Sequence, residues 1–271
     1  MEKALDAALP PAGKYIVLTV TDCVAVISLN RPDVRNAIHD DMRSELVTAF
    51  EWVEARQEIR AVVLTGEGET FCSGGDIDSM HARLSAPAEA IAYNGWKRQI
   101  KTHRSIEVVH NLTKPVIAAV NGAAYGLGLN LAMACDFIIA SSSATLCMSF
   151  MKRGLVPDAG AMYFLPRRVG LSRAKELTLT ARVLSADEAL GIGLVDRISQ
   201  PESLVDDALA WAKEMSQGSP TVVALSKAIL DETYESSLSQ VFKLGREAQA
   251  ICYVSSEHRI AVEAFLRKIA R

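Results

Sequence analysis

From Pro115 to Cys135 the chain carries no charged side chain, a length that could cross a membrane only as one unbroken helix. Asn121-Gly122 interrupts it with a strong turn signal, and Gly126, Gly128 and Asn130 follow. The stretch therefore reads as a buried strand, Val116–Val120, a glycine-bearing turn, and a helix over Leu127–Ala134. Another buried strand is expected at Phe137–Ala140. Strand, helix and strand joined by short links make an α/β pattern and leave no membrane span.

The same pattern runs through the first part of the chain. Tyr15–Val20 and Cys23–Leu29 are β-rich runs separated by Thr21-Asp22, which predicts a hairpin. Asp40 or Asp41 is expected to cap a helix reaching about Gln57, with Met42, Leu46, Ala49, Phe50 and Val53 on one face. Arg60–Gly66 predicts a short apolar strand. Ala88–Leu112 predicts a helix with Ile91, Ile100, Ile106 and Val109 inward, and Lys97, Arg98, Lys101 and Arg104 on a solvated face. After about Ser199 the character turns helical, over Glu202–Gln217, Thr221–Tyr234, Leu238–Tyr253 and Glu257–Ile269. The expected organisation is a flexible N-terminal extension over residues 1–13, a mixed core over 14–199, and a helical region over 200–271.

With 271 residues, 49% of them hydrophobic, the chain can bury a substantial core. Its 29 basic and 32 acidic residues give a net charge of −3, which argues against a nucleic-acid partner. Cys23, Cys72, Cys135, Cys147 and Cys252 are scattered and read as reduced thiols. The five histidines form no metal-spaced pair, so most are expected to be exposed and no metal is expected. Residues 1–13 hold Glu2 and Asp6 and no basic segment before an apolar one, so no secretory leader is expected and a cytoplasmic location is. Gly126-x-Gly128 lacks the third glycine of a dinucleotide fingerprint, and no phosphate-binding P-loop or nucleophile elbow appears.

Three stretches carry candidate chemistry: Phe71-Cys72-Ser73-Gly74-Gly75-Asp76, Asn121 to Asn130, and Gly154-Leu155-Val156-Pro157-Asp158-Ala159-Gly160. The glycine pairs could serve only as turns. A helix starting near Leu127, however, presents unpartnered N–H groups at a positive dipole end, which suits an oxygen gaining negative charge. With a second N–H from Gly75 this would form a two-donor oxyanion hole, each donor worth about 3 kcal/mol in a transition state. Asp158 could be a helix cap after a proline turn, or a general base.

These stretches resemble the crotonase (enoyl-CoA hydratase/isomerase) superfamily from about Tyr15 to the C-terminus. Asn30-Arg31-Pro32-Asp33-Val34-Arg35-Asn36-Ala37, Thr180-Ala181-Arg182, Ser185-Ala186-Asp187-Glu188-Ala189 and Gly193-Leu194-Val195-Asp196 add to the likeness. The resemblance implies a spiral of β-β-α units, a helical C-terminal region that builds a homotrimer or a dimer of trimers, and acyl-CoA thioesters as substrates. Coenzyme A would then be part of the substrate, with no separate cofactor. By position it places the oxyanion donors on Gly75 and Leu127, and substrate or CoA contacts on Arg35, Ala37, Ser73, Gly74, Asp76, Ile77, Asn130 and Phe150. It also implies that Phe265 and Lys268, spaced i, i+3 on one helix face, reach across a subunit boundary to a neighbour's CoA.

Three departures from the family pattern narrow the activity. Leu127 replaces the usual glycine, and its side chain is expected to narrow or reshape the acyl pocket. Asn130 and Phe150 occupy the two positions where hydratases of the family carry glutamates, and neither can exchange a proton with water. Asp158 stands where several relatives carry a catalytic aspartate, and its surroundings look most like the ring-1,2-epoxyphenylacetyl-CoA isomerases and the neighbouring Δ3,Δ2-enoyl-CoA isomerases. The expectation is an acyl-CoA isomerase in which one aspartate moves a proton from one carbon to another. The alternatives are a hydratase with a non-standard site, an aspartate nucleophile as in aryl-CoA dehalogenation, and a non-catalytic or RNA-binding relative.

Overall fold

The computed structural model describes Pro11 and residues 13–269, so most of the expected N-terminal extension lies outside the described residues. The chain begins with the hairpin of β1 (Ile16–Thr21) and β2 (Val24–Leu29), antiparallel from Ile16↔Leu29 to Thr21↔Val24. Asp22 takes a left-handed φ of 54° in its tight turn, a conformation that Asp tolerates better than most residues. Then follow α1 (Asp40–Glu54), β3 (Ala61–Gly66), α2 (Ile77–Arg83), α3 (Ala88–His110) and β4 (Val116–Val120). The middle of the chain holds β5 (Ala123–Tyr125), α4 (Leu127–Met133), β6 (Phe137–Ser141) and β7 (Thr145–Cys147). Beyond it come α5 (Ala161–Val169), α6 (Leu171–Thr180), β8 (Val183–Ser185), α7 (Ala186–Gly191) and β9 (Arg197–Ser199). Four helices close the chain: α8 (Leu204–Met215), α9 (Pro220–Asp231), α10 (Leu238–Tyr253) and α11 (Ser256–Ile269).

The main sheet has the order β1-β2-β3-β4-β6-β9 and is parallel from β2 onward. A parallel sheet needs cover on both faces, and its central strands show it. Every residue of β3 and β4 is buried. Val62, Leu64, Ala118 and Val120 face the larger core with Met42, Leu46, Phe50 and Val53 of α1. The alternate residues Ala61, Val63, Ile117 and Ala119 face Leu204, Ala208, Trp211 and Ala212 of α8. Burying one such side chain, Phe50 for example, stabilises the fold by about 1.5–3 kcal/mol. The small sheet β5-β7-β8 lies apart, and the two isolated bridges Cys72↔Ala124 and Ile38↔Gly75 tie the Gly74-Gly75 turn between β5 and the chain before α1.

Three expectations change. Helix α1 is capped by His39, whose Nδ1 accepts from the Met42 N–H at 3.2 Å, while Asp40 and Asp41 fall in the first turn, where the helix dipole favours them. Ile91 and Ile100 are exposed, because the buried face of α3 begins only at Thr102. The helical region divides, for α8 belongs to the core while α9, α10 and α11 bury no residue within the single chain. Among the described residues no helix is long and apolar enough to cross a membrane.

Candidate active site

The Gly74-Gly75 turn and the start of α4 are held side by side by backbone pairing. Cys72 pairs with β5 through Cys72 N–H to Ala123 O and Tyr125 N–H to Cys72 O, both at 2.9 Å. One step on, Ile38 N–H donates to Gly74 O at 2.8 Å and Asp76 N–H to Ile38 O at 3.0 Å. In that parallel pairing the amide of Gly75 points away from Ile38. Leu127 is the first residue of α4, so its amide has no intrahelical partner. Neither amide donates to another described residue.

Glycine at position 74 lets the two segments approach. Its φ is +104°, and a Cβ there would stand 2.8 Å from Tyr125 O and 3.6 Å from Leu127 N. Gly126, at φ +54°, turns the chain into α4 beside the half-buried Phe150, whose ring lies 3.7 Å from the place a Cβ would take. The Leu127 side chain, expected to shape the acyl pocket, is 7% exposed and packs into the main core. Cys72 lies directly under this turn. Burial pushes its thiol up to about 12, against a smaller opposing pull from the Gly74 N–H, so a thiolate nucleophile is absent here.

Asp158 is fixed from both ends. Its carbonyl oxygen accepts from Asn130 Nδ2 at 2.6 Å and from the Ala161 N–H at 3.1 Å. Ala159 and Gly160 follow in left-handed conformations, φ +50° and +81°, turning the chain into α5. The Asp158 side chain is 40% exposed, and its two carboxylate oxygens lie 3.0 and 3.1 Å from His103 Nε2 on α3. Asn130 is fully buried one turn below Leu127 on α4. It touches the main chain of Asp158, and so joins the helix bearing one candidate oxyanion donor to the segment bearing the candidate base. His103 carries no sequence signal of its own; only folding brings it to Asp158.

The other predicted residues divide. Asp76 is 8% exposed, caps α2 by accepting from the Ser79 N–H at 2.8 Å, and pairs with Arg31 at 2.8 Å. Burial pushes its carboxyl up, but the Ser79 N–H and the Arg31 guanidinium outweigh this and bring it from 3.8 to about 2. Its contacts are those of a brace for the glycine turn. Because the folded value lies below the unfolded one, its stabilising contribution is complete above about pH 4 and is lost as pH falls through 2. Acid unfolding of Asp76→Asn against the unmodified protein should therefore show a stability gap at neutral pH that closes below pH 2; a constant gap would mean that the charge contributes nothing. Ala37 is buried and offers its carbonyl to Arg31, Ser73 N–H donates to Arg35 O, and the side chains of Arg35 and Ile77 are exposed beside the turn. Phe265 and Lys268 are exposed on α11, a helix that buries no residue within the single chain. All five cysteines are free. Among the described residues no group of three or more His, Cys, Asp or Glu is placed to hold a metal ion.

Residues 19–270 match the Enoyl-CoA hydratase/isomerase family. The chain is 35% identical to a short-chain-enoyl-CoA hydratase of Clostridium acetobutylicum, over 93% of this chain and 95% of that protein. It is 33% identical to the 1,2-epoxyphenylacetyl-CoA isomerase of Escherichia coli K12, over 94% and 96%. Among solved structures, an enoyl-CoA hydratase/isomerase from Cupriavidus metallidurans superposes with a TM-score of 0.88 at 36% identity, covering 95% of each chain. An enoyl-CoA hydratase from Bacillus anthracis superposes with a TM-score of 0.87 at 31% identity, over 94% of this chain and 97% of that one.

Proposed function

The chain belongs to the enoyl-CoA hydratase/isomerase family, and from that premise we propose that it is an acyl-CoA isomerase. Its substrate is an acyl-CoA thioester with an apolar acyl group. The thioester oxygen sits between the N–H groups of Gly75 and Leu127, which stabilise the enolate and acidify the adjacent C–H. Asp158 takes a proton from that carbon, and a proton is returned to another, so a double bond shifts or a ring epoxide rearranges. The observation that carries this reading is the position of Asp158, whose main-chain carbonyl Asn130 ties to the helix whose N-terminal amide has no intrahelical partner. Trp96 and Ile100, exposed on α3 seven and three residues before His103, share its side of that helix and supply an apolar rim.

Hydration is the second reading. One observation favours it, a second proton-carrying group, His103, beside Asp158. Adding water requires two such groups to grip one water between them, whereas here the two grip each other at 3.0 Å. Conversion of a 3-enoyl-CoA to its conjugated isomer should thus be at least about tenfold faster than hydration of crotonyl-CoA. Faster hydration than isomerisation would reverse the assignment.

We further propose that α9, α10 and α11 assemble the chain into a trimer or a dimer of trimers. Leu238, Phe242, Ile260 and Leu266 on these helices are exposed in the single chain. In that assembly Phe265 and Lys268 meet a neighbour's CoA, with Lys268 on a phosphate. Lys268→Glu should then weaken acyl-CoA binding by about fivefold or more at low salt, less at high salt, with kcat at saturation nearly unchanged. A monomer in solution, or an affinity that ignores salt, would remove this contact.

A further inference from the structure

Resting on the reading of Asp158 as the base, we propose that His103 is a second catalytic residue, the acid that returns a proton to the substrate after Asp158 has removed one. The pair joins elements far apart in sequence, α3 and the turn before α5, and Nε2 meets both carboxylate oxygens at nearly equal distances, 3.0 and 3.1 Å. Neither side chain has another hydrogen-bond partner among the described residues, and both stay accessible, at 44% and 40% exposure. A contact this open contributes little to stability. A functional role accounts better for the care with which its two ends are fixed. Asp158 is held through its carbonyl and two left-handed residues, and His103 stands on a helix whose buried face, Thr102, Ser105 and Ile106, flanks it on both sides.

The proton balance closes without any further reactant. The proposed cycle begins with the shared proton on His103 Nε2 and none on Asp158. Asp158 takes the proton from the carbon beside the thioester; the C–H bond breaks, an O–H bond forms, and the electron pair passes into the enolate held by the two amides. The enolate is then protonated at the second carbon by His103, whose N–H bond breaks as the new C–H bond forms. Asp158 is left protonated and His103 neutral. One hop across the 3.0 Å contact restores the starting pair. The proton on His103 Nε2 exchanges with solvent between turnovers, so the delivered proton comes from water, and the abstracted one does not return to the same molecule.

The test uses the full-length protein, a 3-enoyl-CoA in D2O, and mass analysis of the conjugated product at early turnover. His103→Gln keeps an N–H donor beside Asp158 but cannot carry the proton. It should lower kcat by about tenfold or more, the scale of losing a general acid, and its residual product should carry little deuterium at the second carbon while the unmodified enzyme's product carries nearly a full complement. A circular dichroism spectrum and Tm close to those of the unmodified protein confirm that the variant folds; His103→Asn serves in its place if it does not. A slowed variant whose product is labelled as fully as before would reduce His103 to a positioning residue and overturn the proposal, as would unchanged kcat. Asp158→Asn is the separate arm. If it retains isomerisation, the base assignment itself fails, and the role built on it fails too; if it is inactive while His103→Gln behaves as the unmodified enzyme, only the acid assignment fails.

Discussion

Asp158→Asn should keep the fold and acyl-CoA affinity while lowering kcat by about a hundredfold or more, the usual loss on removing a general base. The amide is nearly isosteric with the carboxylate. The main-chain contacts that hold this residue, from Asn130 and Ala161, involve its carbonyl and survive the change. Loss of activity can therefore be read as loss of proton transfer, provided that acyl-CoA still binds. Isomerisation within a few fold of the unmodified rate would leave Asp158 as no more than the start of the turn that Ala159 and Gly160 carry into α5.

Gly128→Ala should have a large structural effect on the packing of α4 against the glycine turn. A Cβ at this position would stand 2.3 Å from Cys72 O and 2.7 Å from Cys72 Cβ. Neither neighbour can yield, since Cys72 is fully buried and its carbonyl is bonded to the Tyr125 amide. The helix α4 would have to move away from the turn that carries Gly75. Overpacking of this kind costs about 1–3 kcal/mol or more, and displacing Leu127 N–H by even a fraction of an ångström separates the two donors. The expected result is a Tm lowered by about 5 °C together with a kcat lowered by about tenfold or more. A variant with unchanged Tm and kcat would show that the packing of α4 on the glycine turn does not hold the Gly75 and Leu127 amides in place.

The central strands were readable from the sequence because a parallel sheet with helices on both faces writes itself as short uncharged runs, such as Ala61–Gly66 and Val116–Val120. The Gly74-Gly75 turn was readable because glycine is required where one backbone crowds another, and Gly74 and Gly128 both stand at such crossings. Short elements were not. The three-residue strands β5, β7 and β8 carry too few residues for periodicity to register, and they are fixed by pairing with distant chain. Exposure of Ile91 and Ile100 was equally hidden, because helical spacing tells which residues share a face but not where along the helix its cover ends. The Asn130 contact and the His103–Asp158 pair span 28 and 55 residues, and no local pattern predicts a side chain's partner at that range. Asn130 illustrates the gap most plainly. Its residue type excluded a water-activating carboxylate; only the fold revealed that its amide holds the carbonyl of Asp158.

The most direct measurement follows a purified 3-enoyl-CoA through the enzyme, recording thioester conjugation by absorbance and product mass together. The account predicts a gain of conjugation with no change of mass, abolished in Asp158→Asn. A product heavier by one water, formed at a rate that Asp158→Asn leaves intact, would contradict it.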